Sequence, residues 1–286
     1  MISETGTQTT KEQLFDMHLH SSRSDGTDSP AEVIARAASL GVTLAALTDH
    51  DSVAGVPEAL AAGKRVGVRV LPALEMDTEW PHELHILGLD VDIEEPRLYS
   101  ALQTARERRV VRNEEIVRRL VEAGADVNPF LERDESVATR LHFALALVAG
   151  GFATDIKDAF RRYLRRGCAG YYTVERFPPK QVISLILGAG GVPVWAHPTH
   201  GSPNLHALTE ELAGYGLMGL EAFHPSVSEG ESEVLVSIAR QKGLLVTCGS
   251  DYHGANRAEV VPGQAWRKCA ALEETRAFFD ARPVRE

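Results

Sequence analysis

Apolar and polar positions along the chain fall into a repeating order of short buried runs and longer amphipathic ones. Leu14–Met17 reads as a brief strand. Ser29 then supplies a cap and Pro30 a first-turn proline for a helix over Pro30–Leu40 that stops at Gly41. Val42–Thr48 is an apolar strand, Pro57–Gly67 a helix, and Val68–Pro72 and Glu83–Leu89 two more strands. From about residue 94 the pattern changes. Leu102–Gly124 is an Arg/Glu-rich periodic helix, Thr139–Ala149 is apolar and helical, and Ile156–Arg166 is basic, with no β-branched run between them. The alternation then resumes with helices over Pro179–Ala189, Asn204–Tyr215 and Glu229–Lys242, and strands over Val192–Ala196, Gly219–Phe223 and Leu244–Cys248. Such βαβα order predicts a parallel sheet or an α/β barrel interrupted by an all-helical insertion.

Composition narrows the function classes. With 44% hydrophobic and 24% charged residues, the 286-residue chain has the makeup of a globular protein able to bury a core. Its 30 Lys+Arg against 40 Asp+Glu leave a net charge of −10, which disfavours general nucleic-acid or membrane-surface binding. An anionic substrate must then meet a local positive site. Three cysteines without paired spacing, Cys168, Cys248 and Cys269, argue against a disulfide framework and for a cytoplasmic setting. The polar start of the chain is not a signal peptide and predicts a disordered tail over residues 1–12.

Placing the polar residues against the strands brings out the chemistry. His18, His20, Asp25, His50, Glu75, His85, His197, Asp251 and His253 follow strand ends, as does His224, and in an α/β barrel such positions converge on one rim. Of the remaining histidines, His142 lies in the insertion, and His82, His200 and His206 read as surface residues. Imidazole and carboxylate suit divalent ions such as manganese, iron or zinc, and nine such ligands exceed what one ion uses, so two or three ions are implied. The two rings of His18-x-His20 point the same way on an extended segment and can chelate one ion, while a carboxylate such as Glu75 can bridge two. Closely spaced ions can hold a bridging hydroxide and neutralise a phosphoryl oxygen, which is the chemistry of phosphoester hydrolysis.

The strings FDMHLHSSRSDGT, LTDHDSVAG, ELHILGLD, VWAHPTH, GLEAFHP and CGSDYHG, together with the isolated Glu75, resemble the PHP (polymerase and histidinol phosphatase) family of metal-dependent phosphoesterases. The resemblance implies a distorted (β/α)7 barrel over residues 13–93 and 179–286, with residues 94–178 as a helical lid. It further implies a site of up to three ions, often Mn2+, with Fe2+ or Zn2+ as alternatives. In it His18, His20, Glu75 and Asp251 hold the first ion, Glu75, His85 and His197 the second, and Asp25, His50 and His253 the third. The segments TRLHFALAL and RYLRRGCAGY resemble the branch acting on small phosphorylated nucleotides and sugars. That likeness makes Arg140 a candidate for a substrate phosphate and His142 a second lid contact, with the cluster Arg161, Arg162, Arg165 and Arg166 open between a solvated face and a phosphate site.

Two departures steer the substrate reading. Cys168 stands where bisphosphate phosphatases of this branch carry lysine, and His224 is an additional imidazole that could protonate a leaving sugar oxygen. They favour hydrolysis of 5-phosphoribosyl 1,2-cyclic phosphate to ribose 5-phosphate and phosphate, with Asp251 and His224 as catalytic groups. The competing readings are a nucleoside 3′,5′-bisphosphate phosphatase or 5′-3′ oligoribonuclease, and a non-catalytic module that binds metal or phosphate.

Overall fold

A computed structural model describes residues 13–131, 138–198 and 204–285; the predicted tail over 1–12 and His200 lie outside them. Seven strands lie side by side in chain order: β1 (Leu14–Leu19), β2 (Val42–Leu47), β3 (Arg69–Asp77), β4 (His85–Leu89), β5 (Val192–Trp195), β6 (Gly219–Phe223) and β7 (Leu245–Cys248). The sheet curls until its outer strands meet. Leu19 bridges Tyr252, just beyond β7, and the Asp251 N–H donates to the His18 carbonyl at 2.9 Å. The result is a distorted α/β barrel.

The expected parallel sheet is interrupted at one strand, because β4 pairs antiparallel with both β3 and β5. Only the short stretch 78–84 links β3 to β4, whereas a parallel return needs a crossover of a dozen or more residues. Two consequences follow for the rim. The chain enters β4 at the site end, so His85 is the first residue of its strand and not a residue beyond one. β3 also runs on past Pro72 to Asp77, paired with β4 throughout, so Glu75 lies inside a strand.

Helices form where the sequence caps them. In α1 (Pro30–Ser39) Ser29 accepts from the Glu32 N–H while the Glu32 carboxylate accepts from Ser29, and α8 (Glu229–Lys242) repeats the device with Ser228 and Glu231. The main core joins Phe15, Leu74, Ile86, Trp195, Leu220 and Phe279, and a second apolar group lies under α1 and α2 (Val56–Val66).

The insertion has apolar packing of its own. α3 (Pro96–Glu122) begins six residues before the periodic stretch, with Glu95 as its cap and Pro96 in its first turn. Its first turns bury Leu98, Ala101 and Leu102 in the barrel core, and its later turns bury Ile116 and Leu120 against Phe143 and Leu147 of α4 (Arg140–Ala149) and against Leu164. The α5 helix (Ile156–Ala159) continues into a wide turn over Phe160–Leu164. The chain rejoins the barrel where Phe177 bridges Thr78, ahead of α6 (Pro179–Gly188). α7 (Leu205–Gly214) and α9 (Ala270–Asp280) complete the outer layer.

Candidate metal centre and cleft

All nine predicted ligands converge at the barrel rim, every one of them buried or nearly so. Glu75 sits at the middle. Its Oε2 lies 3.4, 3.3 and 3.2 Å from ring nitrogens of His18, His20 and His50, and its Oε1 2.9 and 3.4 Å from His85 and His197. One carboxylate thus faces two sets of imidazoles, as a bridging ligand does. Asp251 Oδ1 lies 3.4 and 3.2 Å from His18 and His20 Nε2. Asp25 lies between His253, at 3.2 Å, and His50, at 3.7 Å.

Four groups of donor atoms lie close enough to hold a cation: His18, His20 and Asp251; His18, Glu75 and His197; His20, Asp25, His50 and His253; and His50, Asp77 and His85. They differ from the sets implied by resemblance in that His18, His20 and His50 are each shared, Glu75 belongs to one group alone, and Asp77 joins. The Nε2 atoms of His18 and His20 stand 3.1 Å apart, and the buried His20 Nδ1, His50 Nδ1 and Asp25 Oδ1 have no hydrogen-bond partner among the described residues. Buried polar atoms left so are rare in folded proteins, and a divalent ion satisfies them, so the donor set fits metal.

Electrostatics locks the cluster together. Burial lowers the affinity of His20 and His85 for a proton, yet Asp251 and Glu75 around the first, and Glu75 and Asp77 around the second, raise both to about 10. Burial and then the Glu221, Glu75 and Asp251 charges act on His18, and the charges win, holding it well above its usual value. At His50 burial wins and the pKa falls. Burial favours the neutral form of Glu75, Asp25 and Asp251, but the surrounding imidazoles outweigh it and keep all three carboxylates well below their ordinary range.

The backbone is bent to aim these groups. His197 and Asp251 adopt positive φ of 33° and 55°, a conformation that costs non-glycine residues energy and is retained where the surroundings demand it. A Cβ at Gly249 would run into His18 and Glu221, so only glycine lets the chain pass from β7 to Asp251 beneath the cluster.

Sequence reasoning passed over several supports. Glu221, fully buried in β6, accepts from the His197 N–H at 2.8 Å and contacts His18 Nδ1 at 3.0 Å, and its signal was a lone charge in the apolar run GLEAF. Asp77 shares the barrel-facing side of β3 with Glu75, two residues away, and reaches His85 at 3.3 Å. Asp49, which the sequence places with His50 among the strand-end residues of metal-ligand type, instead accepts from the Ser21 and Ser24 hydroxyls at 2.7 and 2.6 Å, ordering the loop that carries Asp25.

A cleft of about 640 Å³ opens over the cluster, and its other wall is the insertion. Arg109, Arg112, Arg140, Arg176 and Arg257 all reach its lining. Arg109 pairs with Asp51 and Arg257 with Asp251, whereas no described carboxylate pairs with Arg112 or Arg140. Arg112 donates to Asn113 and to the Ala138 carbonyl, and Arg140 donates to the Tyr172 carbonyl and stacks over Tyr171 at 5.3 Å. Burial depresses both guanidiniums, and the neighbouring cations, Arg109 and Arg140 for the first and Arg176 for the second, depress them further. Such a pair favours an anion between them.

The other predicted residues lie elsewhere. His142 does not line the cleft; its Nδ1 accepts the Thr139 N–H at 3.0 Å at the start of α4. Arg161 and Arg162 pair with Asp158 within the insertion, and none of the four arginines from Arg161 to Arg166 lines the cleft. Cys168 is also off it, with Sγ 3.3 Å from the Arg161 carbonyl. His224 lies behind Asp251, its Nε2 3.4 Å from Oδ2. No described helix is long and apolar enough to cross a membrane.

Comparison with known proteins identifies the family. The PHP domain model matches residues 16–166. A 3′,5′-nucleoside bisphosphate phosphatase of Chromobacterium violaceum is 34% identical, over 91% of this chain and 92% of its own. The 5′-3′ exoribonuclease Rnm of Escherichia coli is 35% identical over 84% of this chain and 85% of its own, and a phosphoribosyl 1,2-cyclic phosphate 1,2-diphosphodiesterase of Eggerthella lenta 32% identical over 84% and 94%. A solved structure from Chromobacterium violaceum, described as an amidohydrolase with bound sulfate and no metal, superposes with a TM-score of 0.84 at 33% identity, covering 92% of this chain and 96% of that one. Matched over most of its length, the chain belongs to the PHP family and is a metal-dependent phosphoric ester hydrolase.

Proposed function

We propose that the chain hydrolyses a phosphate ester of a small substrate that carries a second, non-reacting phosphate, with nucleoside 3′,5′-bisphosphates as the class favoured by geometry. One observation carries this reading: a single cleft places the imidazole–carboxylate cluster opposite Arg112 and Arg140, with which no described carboxylate forms an ion pair. The nine rim residues would hold two to three divalent ions, Mn2+ first among them and Fe2+ or Zn2+ as alternatives. Bound there, such ions supply Lewis acidity at the reacting phosphoryl group and ease the deprotonation of an attacking water. Arg112 and Arg140 grip the remote phosphate, since guanidinium forks match phosphate oxygens. The residues 94–178 that bear them act as a lid.

Hydrolysis of 5-phosphoribosyl 1,2-cyclic phosphate meets the same two-phosphate requirement. Its special support was His224 as proton donor and the replacement at Cys168, and neither residue reaches the cleft lining. The discriminating experiment compares phosphate release from adenosine 3′,5′-bisphosphate and from the cyclic phosphate by Mn2+-loaded protein. A preference for the bisphosphate of about 100-fold, roughly 2.7 kcal/mol, is expected, and the opposite preference would reinstate the cyclic substrate.

A second reading, trimming of short RNA from its 5′ end, draws on a separate feature. A recess of about 250 Å³ shares His50 and Arg109 with the cleft and extends past Arg23 and Arg106 to Tyr99, which is 55% exposed. Cationic groups beside an exposed aromatic ring suit a further nucleotide, its base stacked on the ring. Tyr99→Ala should then slow cleavage of a 5′-phosphorylated trinucleotide while leaving the bisphosphate unaffected.

A further inference from the structure

We propose that His224 is a positioning residue for Asp251, holding the carboxylate by one oxygen so that the other is presented to His18 and His20. The two oxygens face different surroundings. Oδ1 lies 3.4 and 3.2 Å from His18 and His20 Nε2, on the side of the proposed ions. Oδ2 turns away from them, toward His224 Nε2 at 3.4 Å and the Arg257 guanidinium. Asp251 holds a positive φ of 55°, so its backbone leaves it on a turn, and the side-chain direction needs a partner to fix it.

The proton on His224 is placed by its own neighbour. The Ser226 N–H donates to Nδ1 at 3.1 Å, and the Ser226 hydroxyl lies 2.6 Å from the same atom. A backbone N–H can only donate, so Nδ1 is the acceptor and the ring proton sits on Nε2, the buried nitrogen that lies 3.4 Å from Asp251 Oδ2. That approach is in ion-pair range and is not a formed hydrogen bond, and the Arg257 guanidinium shares the same oxygen. The ring is 5% exposed and absent from the cleft lining; it borders a separate groove with Phe223 and Val236. The sequence Ser226, His224, Asp251 is therefore an orienting relay, of the kind in which the partner of a ligand sets its direction and basicity.

The inference rests on the rim cluster being an ion site, and the two can be tested apart. Arg257 is not the variant to use, because removing it takes away an anchor and a repelling cation together, with opposite effects on ion affinity. His224 avoids that conflict when replaced by neutral side chains. Mn2+ binding, followed by the electron paramagnetic resonance of the free ion, is measured on wild type, His224→Ala, His224→Phe and His224→Gln. Affinity is expected to fall about 10–100-fold in the Ala and Phe variants and to be largely restored by Gln, whose amide also donates. In turnover, kcat falls while KM for adenosine 3′,5′-bisphosphate stays put. Unchanged Mn2+ affinity in Ala and Phe would overturn the relay, as would kcat loss confined to poor leaving groups and not restored by Gln. Imidazole nitrogen shifts of ion-free wild-type protein provide a check without substitution: the Nε2–H tautomer is expected, and Nδ1–H would overturn the proposal. If wild type itself binds no Mn2+, the proposed function fails with it; if wild type binds and the variants match it, the relay alone fails.

Discussion

On the barrel wall of the cleft, six imidazoles and three carboxylates crowd around Glu75; on the insertion wall, Arg112 and Arg140 feel one another's charge and form no ion pair with any described carboxylate. The first wall gathers donors that a cation satisfies, the second gathers cations that an anion satisfies. They also differ in what holds them. The barrel ligands stand on strands or within six residues of a strand end, fixed by a sheet closed through Leu19 and Tyr252, whereas the guanidiniums ride on α3 and α4 and depend on a smaller core around Phe143 and Leu147. On the proposed reading, ion binding is built into the fold, and recognition of a remote phosphate is added to it from a segment that can vary separately.

The division predicts a ranking of effects. The largest belongs to the barrel wall: His20→Ala or Asp251→Asn should lower kcat by about 10³-fold or more and reduce the Mn2+ bound per chain. Near-normal turnover in either variant would break the assignment of that wall. Next comes the insertion wall. Arg140→Ala should raise KM for adenosine 3′,5′-bisphosphate by about 10–100-fold, the worth of one charged hydrogen bond, and leave hydrolysis of bis(p-nitrophenyl) phosphate unchanged. If both substrates suffer equally, Arg140 serves the chemistry and the contrast between walls collapses.

Proton competition sharpens the same contrast on a smaller scale. In ion-free protein His20 and His85 hold their protons up to about pH 10, so a cation must displace them. Their raised values make the protonated contacts stabilising below about pH 6.5, a contribution lost as pH rises through about 10, and ion binding opposes them over that window. Mn2+ affinity should therefore climb between pH 6 and 8.5 or thereabouts, with protons released, as calorimetry in buffers of different ionisation enthalpy will register. A flat profile would mean these imidazoles are not displaced. The smallest effect is expected at Cys168, off the cleft: Cys168→Lys should change KM for the bisphosphate by less than about twofold. A marked fall in KM would bring that part of the insertion to the substrate.

Residues that announce themselves by chemistry were legible in the sequence. All nine rim ligands follow or occupy apolar runs and need only the barrel to meet. Strands such as Val42–Leu47 and Gly219–Phe223 stood out as short apolar runs bounded by polar or glycine residues. Direction was harder, because nothing in ELHILGLD says which way β4 runs, and the answer lies in the length of the 78–84 link. Arg112 and Glu221 were missed because an arginine in an Arg-rich helix and a glutamate in a strand look ordinary until burial makes their charge expensive. His224 and His142 were seen, yet which way each ring faces depends on Ser226 and Thr139, local hydrogen bonds that spacing does not encode.

The reversal of β4 also sets the dimensions of what the cleft accepts. Because that strand descends from the rim, the chain leaves it at the far end of the barrel, and α3 must climb back before the insertion can reach the mouth. Its 27 residues make a rod of about 40 Å, with Leu98 planted in the barrel core and Arg112 fourteen residues, about 21 Å, further along. The helix is in effect a gauge: each residue added or removed below Arg112 shifts that guanidinium by about 1.5 Å and turns it by about 100°, so in the proposed reaction the spacing between the two phosphates would be read against a length of backbone.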